Sequence, residues 1–256
     1  MPRNRFATAV AAVLIACGCQ SPNHGPSAPA AGTTATPNRL CAQVHGVWDA
    51  KAGQCKLNKD GADGVHVGVT ASYPVDLVDN PPGGLILTPF VQKFFADYGQ
   101  TDTNGTGNAN LTSQVLTHGS FTKTVVFHSD WYFTSMPHPS AQISTFTFDS
   151  NRQLQLADLL CPGVDPLKAI PPIAHPFVQQ TLSGSPFQVE QFEPDHAEGE
   201  LADSYQAWAL DGDDLVLYMP AERGPGGVSP GSIAPRIPLA QLAPFLREKG
   251  CSTPAH

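Results

Sequence analysis

Polar and apolar residues alternate one for one through Val65-His66-Val67-Gly68-Val69-Thr70-Ala71-Ser72-Tyr73. A period of two is the mark of a half-buried strand. Further on the period changes. Phe90, Val91, Phe94, Phe95 and Tyr98 form one stripe at helical spacing. Thr88 suits the N-cap, Pro89 the first helical position and Gly99 the stop. The pattern therefore predicts a helix from Thr88-Pro89 to Gly99, with its stripe packed in the core. Asn80-Pro81-Pro82-Gly83-Gly84 before it reads as a turn or loop.

After a polar Gly/Asn/Thr loop over 100–110, strand-like stretches span 111–118, 121–133 and 142–148. The middle one puts Thr122, Thr124, Val126 and His128 on one face and Phe121, Val125 and Phe127 on the other. Short connections between such strands predict an antiparallel sheet. Asp149-Ser150-Asn151 turns the chain into 152–156. Asp165-Pro166 offers a second cap-and-proline helix start. Leu167, Ile170, Ile173, Phe177, Val178 and Leu182 follow at helical spacing, and Pro171, Pro172 and Pro176 must kink or break it.

The stretch 205–245 reads as a strand, a tight Asp211-Gly212 turn, a second strand, a Gly/Pro loop, a short strand ending at Ile237 and a helix over 238–249 that contains Pro244. The rest of the domain is expected to pack against this unit. The fold class is α+β, antiparallel sheets with two to three packed helices.

The N-terminus changes the picture. Arg3 and Arg5 precede an apolar run from Phe6 to Ala16, of signal-peptide length and too short for an ordinary membrane-spanning helix. It ends in Leu14-Ile15-Ala16-Cys17, which resembles the lipobox of bacterial lipoproteins. The resemblance implies a signal peptide over 1–16, acylation of Cys17 with diacylglycerol and palmitate-type chains, and anchoring at the extracytoplasmic face of the cell membrane. Each buried CH₂ of such chains contributes about 0.8 kcal/mol. Cys19 is the alternative acceptor. Residues 17–39 are rich in Pro, Ala, Ser and Thr and have no hydrophobic period. They read as a tether, with a single domain over 40–256.

The formal charge is −8, and loss of Arg3 and Arg5 with the signal makes the chain more acidic. Scattered Lys and Arg on an acidic chain leave no footprint for nucleic acid. Cys41, Cys55, Cys161 and Cys251 remain once Cys17 and Cys19 are set aside. Four cysteines in an exported chain allow three connectivities. Pairing Cys41 with Cys55 closes a short loop, worth about 3 kcal/mol by chain entropy. Pairing Cys161 with Cys251 ties mid-domain to the C-terminus and is worth somewhat more. The spacings lack CxxC or clustered histidine and do not read as a metal site.

The order of elements from 40 to 247 resembles the family of the mycobacterial secreted immunogen MPT sixty-four. It also resembles the extracytoplasmic domain at the C-terminus of lysozyme-sensing anti-sigma factors. The matching pieces are the Cys41…Cys55 loop, the 65–73 strand, His138-Pro139 before Thr145-Phe146-Thr147-Phe148-Asp149, and Leu156-Ala157-Asp158-Leu159-Leu160. Asp165-Pro166, the Asp211-Gly212 hairpin, and Tyr218…Gly226-Gly227-Val228 before Ile237-Pro238 match as well. Cys161, Cys251, the proline-rich second helix and the lipobox depart from the immunogen. The resemblance implies an α+β fold, partly β-grasp-like, and a role as a secreted antigen or binding ectodomain, with ester hydrolysis assigned to some relatives.

Gly227-Val228-Ser229-Pro230-Gly231 matches G-x-S-x-G in form. In a nucleophile elbow the residue after the serine donates its N–H to the oxyanion, and Pro230 has none. Ser229 therefore reads as a loop residue. His118, His128 and His138 lie on or beside neighbouring strands and invite a metal site, yet neither HExxH nor an i, i+4 histidine pair is present. Asp211, Asp213 and Asp214 read as turn chemistry rather than a calcium loop. Ser129-Asp130-Trp131-Tyr132 is an aromatic strand end, suited to core or to a binding surface. No catalytic residue, metal or cofactor is assigned. The expectation is a lipid-anchored binding or interaction module, its partner an envelope or host protein. The alternative is an envelope esterase with an unrecognised Ser/His site.

Overall fold

The computed structural model describes residues 38–196, 204–220 and 233–251. The chain divides into two units, Met1–Ala35 and Thr36–His256, and every described residue belongs to the second. Cys17, Cys19, Ser229 and His256 lie outside the described residues.

A seven-stranded sheet runs in chain order through β1 (Val47–Asp49), β2 (Gln54–Asp60), β3 (His66–Ala71), β4 (Gly107–His118), β5 (Thr122–Phe133), β6 (Ser140–Phe148) and β7 (Gln153–Leu154). Its pairs are antiparallel except β3 with β4, which are parallel. A parallel pair needs a long crossover. Here it carries two helices, α2 (Val75–Val78) and α3 (Gly83–Tyr98). A short first helix, α1 (Arg39–Gln43), precedes β1. Its cap is Asn38, whose Oδ1 accepts from the Cys41 N–H at 3.0 Å and the Tyr73 hydroxyl at 2.7 Å.

Helix α3 starts at Gly83, earlier than Thr88, so Pro89 lies inside it. The missing N–H of Pro89 would have served the carbonyl of Leu85, which sits on the exposed face of the helix (75% exposed). The two glycines read as loop residues open the helix for a steric reason. A Cβ on Gly83 would lie 2.6 Å from the Leu77 carbonyl oxygen, and one on Gly84 would lie 2.5 Å from that of Val78. Only glycine lets the end of α2 approach the start of α3 so closely.

The predicted stripe does face inward. Val91, Phe94 and Phe95 are buried against Val67, Val69, Leu111, Val125 and Phe127 on one face of the large sheet. Phe90 packs on Phe127 and Phe146, with ring centroids 4.8 and 5.0 Å apart. The Cys41–Cys55 disulfide belongs to this core.

The opposite face carries a three-stranded antiparallel sheet, ordered β10 (Arg236–Pro238), β9 (Asp214–Leu217), β8 (Trp208–Asp211). Ala209 and Val216 meet Leu116 and Val126 of the large sheet. Leu210, Leu215 and Leu217 point away, into a core closed by α4 (Pro166–Ala169) and α5 (Pro171–Thr181). Asp165 caps α4 as predicted, its carboxylate accepting from the Leu167 N–H, and the proline run breaks the helix at Ile170. The α3-side core contains no described residue of 205–245, so this unit organises one face of the sheet rather than the whole domain. The C-terminal segment is not one helix. It makes two 3₁₀ turns, Leu239–Leu242 and Arg247–Lys249, with Leu246 bridged to Leu160 between them.

Strand β8 is the edge of the small sheet and lies on the face of the large one. Its outward N–H groups recur at every second residue. Trp208 donates to the Thr145 hydroxyl at 2.9 Å, Leu210 to the Thr124 hydroxyl at 3.2 Å, and Gly212, just past the strand, to the Thr117 carbonyl at 2.9 Å. Thr124 is fully buried and also bonds Thr147 at 3.0 Å. Thr124→Val keeps the shape but strands the Leu210 N–H in the core. We expect a loss of about 1–3 kcal/mol in urea unfolding, largely recovered by Thr124→Ser. Equal stability of the two variants would show that the hydroxyl is not what holds the strand.

Candidate functional site

Where the two sheets and the C-terminal segment meet, they leave a cleft of about 310 Å³. That is within the small-molecule range. Its floor is leucine: Leu154, Leu159, Leu210, Leu239 and Leu246. Its rim is charged: His118, Asp149, Arg152, Asp158, Arg247 and Glu248.

One side of the rim follows from a turn. The Asp149 carboxylate accepts from the N–H groups of Asn151 and Arg152 at 2.7 and 2.8 Å. The same two bonds hold its pKa below the ordinary value. The turn aims Arg152 at Asp158, which it grips with both terminal nitrogens at 2.9 Å. Two parallel charge-assisted bonds fix a geometry as well as adding energy. The Asp158 carboxylate also accepts from the Gln155 N–H at 2.7 Å. Arg152 first, then Gln155, hold its pKa down at about 2.

On the other side stands His118, the last residue of β4, with a side chain 16% exposed. Its Nδ1 bonds the carbonyl of Gly212, and its Nε2 lies 3.1 Å from Glu248. Both ring nitrogens thus face acceptors, and only the imidazolium can donate from both. Burial pulls the His118 pKa down. The Gly212 carbonyl and the Glu248 carboxylate together outweigh it, and the net direction is up. The hydrogen bond from His118 lowers the pKa of Glu248 against the cost of its burial.

The wall that carries Glu248 is pinned at several points. Leu239 donates to the Asp213 carbonyl and Cys161 to that of Phe245, each at 2.8 Å. The Cys161–Cys251 disulfide ties down the end of the described chain. Among the described residues Thr122 is the only hydroxyl side chain of the lining, and His118 has no free nitrogen to accept its proton.

Of the sequence-derived candidates, His118 lies on the cleft, and the others among the described residues fall elsewhere. His118 pairs with Thr122 across the β4–β5 hairpin, and His128 stands six residues further along β5. At strand rise that separates them by about 20 Å. His138 precedes β6 beyond the opposite end. The three do not converge, and among the described residues no cluster of metal-ligand type occurs. Asp211 and Asp214 hold Arg236 at 2.7 and 3.0 Å. Trp131 packs on Tyr98, while Asp130 and Tyr132 face outward. The cleft itself joins residues 130 apart, His118 and Glu248. No local motif marks such a pair. The Asp149 turn is legible in the sequence, and His118 is singled out there only as a candidate metal ligand, while Asp158 appears only within a piece of the resemblance.

No family model matches the sequence, and no curated protein matches it. Among solved structures, the fold is similar to a DUF3298 family protein from Pseudomonas aeruginosa. The TM-score is 0.44 at 13% identity, over 75% of this chain and 93% of that one. It is also similar to a member of the DUF3298 family from Bacteroides fragilis. There the TM-score is 0.47 at 13% identity, over 75% of this chain and 92% of that one.

The His118–Glu248 pair predicts a pH window. A raised His118 pKa gives stabilisation that is full below the ordinary value of 6.5 and lost as pH rises through the folded value. A lowered Glu248 pKa gives stabilisation present above the ordinary 4.5 and lost as pH falls through its folded value. The pair therefore contributes most between 4.5 and 6.5. The urea midpoint of the natural chain should exceed that of Glu248→Gln near pH 5.5, and the gap should shrink by pH 8.5. A constant gap would mean that the pair is not ionic.

Proposed function

We propose that the chain is a bacterial cell-envelope lipoprotein, held at the extracytoplasmic face of the membrane by an acylated Cys17, whose folded domain binds a ligand or partner at the His118 cleft. Leu14-Ile15-Ala16-Cys17 after a short apolar run supports the anchor. The two disulfides fit an oxidising compartment. The resemblance over 40–247 to the immunogen and anti-sigma ectodomains supports a binding role.

The observation that carries the binding role is the commitment of the rim. Arg152 is closed on Asp158, and His118 is closed on Gly212 and Glu248. A general base needs a free lone pair within reach of the proton it takes. In the doubly bonded His118 neither nitrogen offers one.

Two measurements test this reading. Cells fed an alkyne-tagged fatty acid should label the full-length protein, and Cys17→Ala should abolish both the label and membrane fractionation. Label retained in Cys17→Ala but lost in Cys19→Ala would move the anchor by two residues. For the domain, a photo-crosslinking residue at Thr122, on the cleft, should give one discrete product in the intact envelope. The same residue at Lys93, on α3, should not. Identical products from both positions would remove the cleft as the binding surface. Stoichiometric fluorophosphonate labelling of one serine, matched by short-chain ester turnover, would replace binding by hydrolysis.

A further inference from the structure

The rim is not uniformly closed. Arg236 is held by Asp211 and Asp214, Arg152 by Asp158, and Lys249 lies 3.5 Å from Glu248. Arg247 stands exposed on the cleft rim, its guanidinium without a hydrogen bond or ion pair among the described residues and its charge reaching Asp158 only through space. The acids of the rim are differently placed. Asp149 is engaged by two backbone N–H groups, Asp158 by Arg152 and Gln155, and Glu248 by His118 and Lys249. A cationic ligand would have to compete with these donors for its acceptor. An anionic one meets an uncommitted guanidinium.

We infer that the cleft binds an amphiphile made of an aliphatic body and a single carboxylate head, the body on the leucine floor and the head on Arg247. This rests on the binding role proposed for the same cleft. The planar fork of arginine matches a carboxylate with two parallel hydrogen bonds. Among the described residues, a doubly charged phosphate would face three rim carboxylates, Asp149, Asp158 and Glu248, with only the Arg247 guanidinium open to meet it. The floor explains the body. Leu154 and Leu159 come from the stretch 153–159, Leu210 from β8, and Leu239 and Leu246 from segment 239–251; among the described residues the lining holds no Phe, Tyr or Trp to stack on a flat ligand. Leu210, Leu239 and Leu246 are buried and fixed, while Leu154 and Leu159 are half-buried and form the accessible part of the surface.

The test is calorimetric titration of the full chain, carrying Cys17→Ser so that no acyl chain of its own is present. Decanoate is the probe, kept below its micellar concentration. Acetate supplies the head without the body, and decyltrimethylammonium the body with the opposite charge. Decanoate should bind one to one, and the other two at least about tenfold more weakly. Loss of a charge-assisted pair is worth about that factor or more. Arg247→Gln should weaken decanoate by a similar factor, and Leu159→Arg should abolish it. Lys93→Gln, on the far face, should change nothing.

Equal binding of the cationic probe, or full decanoate affinity in Arg247→Gln, would overturn the head-group assignment. Several decanoates per chain, indifferent to both cleft variants, would show surface adsorption and overturn the inference entirely, as would no binding. A discrete crosslink from Thr122 alongside any of these results would leave the cleft a binding surface for a ligand of another class.

Discussion

The arrangement depends on three backbone N–H groups. An edge strand carries a row of unpaired donors and acceptors, which are costly if buried without partners. Strand β8 is such an edge, buried on the face of another sheet. Its donors at Trp208 and Leu210, and the next at Gly212, are met by the hydroxyls of Thr145 and Thr124 and the carbonyl of Thr117. This explains why a sheet face that could be wholly apolar carries Thr124, Thr145 and Thr147. Valine would pack as well there but could not accept. The same bonds fix the position of the small sheet on the large one, because the acceptors stand on three neighbouring strands, Thr145 on β6, Thr124 on β5 and Thr117 on β4, so that successive donors of β8 meet successive strands as it crosses them. They also bring the Gly212 carbonyl to His118. The cleft thus inherits its geometry from the docking of β8.

The C-terminal wall is a second dependency. Segment 239–251 supplies Leu239, Leu246, Arg247 and Glu248, yet it has no long helix to satisfy its own backbone. It is held from outside: by the Asp213 carbonyl, by Cys161, by the bridge to Leu160, and by the disulfide to Cys161. Cys161 thus anchors the wall twice, once through its backbone N–H and once through its sulfur. The loop closed by this disulfide spans 90 residues. By chain-entropy reasoning that is worth about 4–5 kcal/mol, most of it acting on the unfolded chain.

Periodic features were legible in the sequence because local physics decides them. The alternation of 65–73, the stripe Phe90–Tyr98, the cap at Asp165 and the Asp211-Gly212 turn all appear where their patterns placed them. Departures occur where a distant contact decides. Gly83 and Gly84 signal a loop by propensity but open a helix, because the carbonyls of Leu77 and Val78 leave no room for a Cβ. The run 238–249 has helical spacing, but the pull of Leu160 on Leu246 and the proline at 244 break it into turns. The pattern of β3 does not encode that its neighbour β4 is parallel, since alternation is the same in either direction. His118 and Glu248 carry no shared signal at all, being joined only by the fold.

The contrast within the rim is what the proposed binding role rests on. Catalytic groups are held where they can still exchange a proton or attack. Among the described residues of the rim, Arg152 is paired with Asp158 and His118 with Glu248, Asp149 is held by backbone N–H groups, and the open cation, Arg247, is of the type that does not titrate near neutral pH. A group that is permanently charged, exposed at the mouth and unpaired can orient an anion but cannot transfer a proton to it. The apolar floor beneath it then selects by shape and by the area it removes from water, at about 25 cal/mol per Å². Charge at the mouth and leucine below divide the work as an amphiphile would require. The division depends on His118 and Glu248 neutralising each other, because an unpaired Glu248 would repel the anion that Arg247 attracts.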